Sequence, residues 1–228
     1  MEEEAQYGLS IGDVMSALLL IIILVMMNAL STLREESDKA NEFDAKRKDL
    51  NQTLYAEFQD DFDRLFLEVD TINGVIQFSS PDVLFKQGKS SVKQEFADIL
   101  TEFYPRYLNI LNDPEFKPFI REIRVEGHTS KEWETKGKIS SEQAYLNNLE
   151  LSQLRSFEVL NLLLQLPDDD ARKAWFRDKA AAMGYSSSKL ILTPAGKEDR
   201  ERSRRVSFRA LLDYEKFMVG RSDNSGDS

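Results

Sequence analysis

The 228-residue chain contains no cysteine. Disulfide scaffolds, thiolate metal sites and cysteine nucleophiles are therefore excluded. The absence leaves the compartment open and is compatible with an oxidising one. Histidine occurs once, as His128, so histidine-rich metal sites and most Ser–His triads lack their parts. Basic residues are in deficit: 30 Lys and Arg against 40 Asp and Glu give a net charge of −10 and a pI near 4.8. A general nucleic-acid binder would carry a clustered basic face, so no nucleic acid is expected as a partner. The length suits one folded domain plus extensions.

Charge nearly vanishes between Gly8 and Leu33, where Asp13 is the sole ionisable residue and Val14–Leu30 is almost unbroken apolar chain. A bilayer core about 30 Å thick needs about 20 helical residues, which this stretch supplies. A cleaved signal peptide would want a basic start and small residues at a cleavage site, whereas Glu2, Glu3 and Glu4 lead here and no A-x-A follows. A retained transmembrane helix in the lipid bilayer is the expectation. Its flanking cations (Arg34, Lys39, Lys46, Arg47 and Lys48) all follow the span, so the positive-inside rule alone favours an N-terminus outside. A carboxylate in hydrocarbon costs about 2.5–3.5 kcal/mol, so Asp13 should face protein or water. One reading makes it an ion carrier; the other places it at the headgroups as a helix N-cap, with Ser10 and Gly12 outside. Ser16 and Ala17, one turn on, give a small-residue face for close helix contact.

From Arg34 to about Asp70 the chain is charged and free of Pro and Gly. Leu50, Leu54, Phe58, Phe62 and Leu65 recur at spacings of three and four, the mark of an amphipathic helix. It reads either as a solvated spacer or as a dimerising stalk, and is too short to claim a coiled coil. A compact domain follows. Strands are expected at Val75–Phe78, Ile120–Glu126, Leu190–Leu192 and Arg205–Leu211, and helices at Ser91–Leu111 and Glu142–Leu166. A further helix, Asp168–Met183, reads as an insertion stopped by Gly184. This alternation predicts an α+β fold with helices on one face of a sheet. The expected division is a short tail (1–8), a transmembrane helix (9–33), a helical linker or dimerisation stalk (34–70), the domain (71–215) and a disordered tail (216–228).

Four motifs recur in order along the C-terminal half: Val125-Glu126-Gly127-His128-Thr129-Ser130, Asn148-Leu149-Glu150-Leu151-Ser152-Gln153-Leu154-Arg155-Ser156, Ser203-Arg204-Arg205-Val206, and upstream Val83-Leu84-Phe85-Lys86-Gln87-Gly88. They resemble the OmpA-like peptidoglycan-binding domain, also found in MotB stator proteins, whose patterns are G-H-T-D, N-x-x-L-S-x-x-R-A, N-R-R-V and LF-x-x-G. The resemblance implies a β-α-β-α-β domain that grips the diaminopimelate of a peptidoglycan stem peptide. Arg155 would then make a bidentate pair with its carboxylate, with Asn148 and Leu151 beside it. The family's aspartate would take the amine, but Ser130 stands at that position and a hydroxyl cannot replace a charge; Glu132 or Glu134 could substitute. Of Arg204 and Arg205, Arg205 is the further candidate peptidoglycan contact.

Gly12-Asp13-Val14-Met15-Ser16-Ala17-Leu18 is similar to the motor helix of MotB-type proteins, A-D-x-M-(T/S)-A-L, and places Asp13 on that family's ion-carrying aspartate. The resemblance implies a homodimer inside a pentameric MotA- or ZorA-like membrane subunit, with a cytoplasmic N-terminus and a periplasmic C-terminal domain on the bacterial inner membrane. It implies no cofactor; the moving species would be H+ or Na+. Flagellar MotB usually carries a basic tail before its helix and a Pro-bearing plug after it, and neither is seen here. The short tail, long loop and insertion are more similar to the ZorB family of Zorya anti-phage defence systems. Alternatives are a passive OmpA-like cell-wall tether and a flagellar-type stator subunit. No motif supports an enzyme such as a wall hydrolase, which would need paired carboxylates.

Overall fold

The computed structural model describes residues 2–86, 88–133 and 139–219. The chain divides into two compact units, Met1–Ala45 and Lys46–Ser228, and helix α1, Glu2–Phe58, supplies residues to both.

In the first unit, Val14–Leu33 is helical and apolar on every side, with side chains such as Val14 (67%) and Leu33 (61%) exposed. A helix apolar all round must be buried in something. None of its 18-residue apolar window, of mean hydropathy 2.5, is buried by the described residues, and the window is long enough to cross a bilayer.

The second unit is mixed α+β. After α1 come a 3-10 turn (Gln59–Asp61), the short helix α2 (Phe62–Leu65), strands β1 (Leu67–Asp70) and β2 (Val75–Phe78), and helices α3 (Pro81–Leu84) and α4 (Gln94–Leu111). Strand β3 (Ile120–Gly127), helices α5 (Ser141–Gln165) and α6 (Asp170–Lys179), strand β4 (Ala180–Gly184), helix α7 (Arg200–Ser203), strand β5 (Val206–Leu212) and helix α8 (Tyr214–Val219) complete it. The five strands lie in the order β1-β2-β5-β3-β4. All pairings are antiparallel except β3 with β4.

Side chains alternate across the sheet. Ile76, Phe78, Ile123, Val125, Val206 and Phe208 point into one core with Phe96, Phe103 and Tyr107 of α4. Phe78 makes edge contacts with Phe96, Phe103 and Phe208 at centroid distances of 5.1–5.8 Å. The opposite face carries Gln77, Glu126, Ser207 and Arg209, as expected for a sheet covered on one side.

Four expectations are corrected. The stripe assigned to the 34–70 linker is part of this core: Leu50, Leu54, Phe58 and Leu65 are at most 2% exposed, and β1 already belongs to the sheet. An apolar stripe needs a partner, and the domain's own sheet and α4 provide it. Asp168–Met183 is not one helix, because Ala180–Gly184 is the strand β4. Alanine is the best helix former, but here the segment pairs with β3 instead, and at its end α5 passes so close that Gly184 admits no Cβ. A Cβ on Gly184 would meet Gln153 N at 2.5 Å, and one on Gly127, its register partner, would meet Ser152 O at 2.1 Å. Leu190–Leu192 forms no strand, only a bridge from Leu192 to Glu198. Finally, β4 is an edge strand, and Gln153 meets its outer side: its Nε2 donates to Ala182 O (3.1 Å) and its Oε1 accepts from Gly184 N (2.7 Å). Of the expected disordered tail, 216–219 belongs instead to helix α8, with Phe217 4% exposed, and 220–228 lies outside the described residues.

Candidate functional site

Helix α5 is started by Ser140, whose hydroxyl accepts from Gln143 N at 3.0 Å, a standard N-cap. From that start Asn148, Leu151 and Arg155 fall on one stripe of the helix. Asn148 is 3% exposed. Its Nδ2 donates to the carbonyls of Ser130 (3.1 Å) and Glu132 (3.3 Å), so it fixes the loop after β3. Leu151 is half-buried between Asn148 and Arg155.

Arg155 donates from Nε to Lys89 O at 3.0 Å, and its guanidinium lies 4.7 Å from the centre of the Phe85 ring. The Phe85 strip bridges to Val92, so the LF-x-x-G segment and α5 share this arginine. Burial, then the nearby positive charge of Arg204, pushes Arg155 down to about 10. It stays charged at neutral pH, and no described carboxylate lies within ion-pair distance. A half-buried guanidinium in that condition is ready to take a carboxylate from outside.

Ser130 is 8% exposed and meets Asn148 through its backbone carbonyl. Of the proposed substitute acids, Glu132 pairs with Arg200 at the surface, and Glu134 lies outside the described residues. The arginine pair divides. Arg204 is the one whose charge reaches Arg155. Arg205, expected as a peptidoglycan contact, turns to the open face of the sheet, where its guanidinium donates to Ser203 O and Lys189 O. The reason is alternation: Val206 must point into the core, which sends Arg205 the other way. The structure thus joins Asn148, Ser130 and Arg155 through α5 and its adjoining loops, and separates Arg205 from them.

Asp13 is exposed on α1 in the first unit, as are Ser16 and Ala17 on the following turn. It is the one charged residue between Gly8 and Leu33 and directly precedes twenty residues of apolar and small polar side chains, Val14–Leu33.

The cluster around Arg205 was not anticipated from sequence. It contains Glu126 (1% exposed) and His128 (2%), with Glu126 Oε1 accepting from Arg209 Nε at 3.2 Å and Lys189 Nζ lying 4.4 Å over the Tyr185 ring. Burial alone would raise the Glu126 carboxyl, but the neighbouring positive charge, Arg209 at 3.2 Å first, holds it below the ordinary carboxylate range. The one available signal was a glutamate two residues before the lone histidine, at the end of a strand that also carries Arg121, Glu122 and Arg124.

No family model matches the sequence. The chain is 34% identical to the Zorya protein ZorB of Escherichia coli (strain Crooks) over 218 residues, covering 94% of this chain and 91% of that protein. It is 26% identical to a second Zorya protein ZorB, from an ETEC strain of Escherichia coli, covering 91% of this chain and 81% of that one. Among solved structures it is similar to the cell wall anchor of the Pseudomonas aeruginosa type VI secretion system, with TM-score 0.46 and 24% identity over 70% of this chain and 97% of that one. A MotB-like protein from Desulfovibrio vulgaris gives TM-score 0.47 and 21% identity over 73% and 96%. The periplasmic domain of Helicobacter pylori MotB gives 0.43 and 19% over 68% and 87%. On its identity to the Crooks-strain protein over nearly the whole of both chains, this chain belongs to the ZorB family of Zorya proteins.

Proposed function

We propose that this chain is the peptidoglycan-anchored, ion-conducting subunit of a stator-like rotary assembly in the bacterial inner membrane, acting in anti-phage defence. The observation that carries the reading is Asp13, a lone carboxylate at the start of an apolar helix in a chain of the ZorB family. A charge at that depth is expensive and marks an ion path far more often than a structural contact. Two copies of this helix inside a pentameric ZorA-like subunit would give each Asp13 a protein wall, with Ser16 and Ala17 allowing close approach. The N-terminus would be cytoplasmic and the sheet domain periplasmic, against the bare positive-inside count. H+ or Na+ would be the moving ion.

In the periplasm Arg155 is the anchor, pairing with a diaminopimelate carboxylate while Asn148 and Leu151 shape the wall of the site. With Ser130 in place of an acid, the ligand amine has no charged partner from that position, so the carboxylate contact dominates. Arg155 would serve a passive tether equally well, which makes the tether the second reading.

The deciding experiment co-expresses the chain with the membrane protein encoded beside it. Asp13→Asn should abolish ion flux and phage protection while the complex still purifies as five copies of the partner to two of this chain. Retained protection in that variant leaves only the tether.

A further inference from the structure

On the open face of the sheet, a cavity of about 100 Å³ is bordered by Glu126, His128, Lys189, Arg205, Ser207 and Arg209. This is several times the roughly 30 Å³ share of one water molecule. Register explains the grouping. Glu126 faces Ser207 across the β3–β5 ladder, and the next step along brings His128 N to Arg205 O at 3.0 Å.

Four buried polar atoms here have no hydrogen-bond partner: both ring nitrogens of His128, Arg205 Nε and Ser207 Oγ. His128 Nε2 approaches Glu126 Oε2 only to 3.6 Å, too far for a hydrogen bond. Leaving such groups unpaired is costly, and a native fold retains them chiefly where something else completes them. Arg205 Nε can only donate, so its missing partner is an acceptor.

Charge then selects the acceptor. Glu126 is matched by Arg209 at 3.2 Å, and the Asp70 carboxylate at the cavity rim accepts from Ile72 N, Asn73 N and the Asn73 side chain. Arg205 and Lys189 have no carboxylate within ion-pair distance among the described residues. Three cations (Lys189, Arg205, Arg209) against two carboxylates (Asp70, Glu126) leave an excess of one positive charge around the cavity. Lys189 is exposed to solvent, so the cation that the fold itself leaves unmatched is half-buried Arg205, whose hydrogen bonds water could fill but whose charge it would not neutralise.

We propose that this cavity is a binding site for a small monocarboxylate, whose oxygens accept from Arg205 Nε, Ser207 Oγ and a ring N–H of His128. The site stands apart from the Arg155 pocket and does not depend on it.

Because His128 is the only histidine, its imidazole resonances report on the cavity alone. The test follows them by NMR in histidine-labelled full-length chain in detergent micelles, at fixed pH, titrated with sodium acetate, inorganic phosphate or sodium chloride. Acetate should give a saturable shift, and Arg205→Gln and Ser207→Ala should each weaken it, the former by about tenfold or more, the equivalent of one charge-assisted hydrogen bond. Ser207→Ala removes a single oxygen and keeps the test valid should Arg205→Gln fail to fold. A response to acetate no different from that to chloride, saturation unchanged in a folded variant, or saturation by phosphate and not acetate overturns the assignment.

Discussion

Arg155 and His128 meet burial from opposite sides. The arginine keeps its charge because a guanidinium protonates so readily that even a fall to about 10 leaves it cationic at neutral pH, whereas the histidine gives its charge up. If the half-buried cation of Arg155 is the anchor, Arg155→Ala should weaken binding to isolated peptidoglycan sacculi by about tenfold or more. Arg155→Lys should restore only part of it, since a lysine cannot make the bidentate fork. Co-sedimentation with sacculi measures both, and unchanged binding by the alanine variant would remove Arg155 from the site. For His128, burial, reinforced by the charge of Arg205 and opposed by Glu126, holds its pKa below the ordinary 6.5. The unfolded chain therefore takes up a proton as pH falls past 6.5 while the folded chain resists, and stability declines with acidity from that point. Glu126, held below its ordinary 4.5, adds the same trend only at lower pH. Melting temperature should fall between neutrality and about pH 5.5 in the parent chain and fall less in His128→Gln; parallel curves would show that the histidine titrates normally.

Helix α5 and the strand pair it crosses share their tightest contact at Gly127 and Gly184, whose added Cβ atoms would strike the helix backbone. Gly127→Ala should cost about 1–3 kcal/mol or more, the range for overpacking, read as a loss in urea midpoint at unchanged slope. By the opposite mechanism Leu54→Ala, which empties a site now 1% exposed, should cost about 2–5 kcal/mol. These two positions also mark what was legible beforehand. The strands Val75–Phe78 and Ile120–Gly127 and the helices α4 and α5 follow from periodicity, because each has an apolar pattern that one face of the fold uses. Strand β4 does not, since Ala-Ala-Ala-Met-Gly carries no alternation of apolar and polar residues, and its strand state comes from pairing with β3 elsewhere in the chain. The Leu50–Leu54–Phe58 stripe was visible as a stripe, but periodicity says that a face is buried and is silent about which partner buries it. Of the candidate site, Asn148, Ser130 and Arg155 were readable as motif positions. The path of Arg205 was not, because it depends on which way the neighbouring Val206 points.

Taken as a whole, the molecule keeps its folded mass within one of its two units. A chain beginning at Lys46, the start of the second unit, should therefore fold as a soluble domain with a single cooperative melt. One beginning at Thr71 should not, having lost Leu50, Leu54, Phe58, Leu65 and strand β1 from the core. Circular dichroism melts of the two fragments decide this, and a cooperative transition in the shorter one would show the stripe to be dispensable. The open side of β4 bears on how such domains coexist at high density. Gln153 offers that strand one donor and one acceptor at the spacing a neighbouring peptide would use, a counterfeit sixth strand built from a single side chain. With it in place that edge has two of its outward backbone groups already paired, so neighbouring domains are hindered from zipping together through β4. Gln153→Leu would reopen that margin, and light scattering of concentrated protein would reveal it.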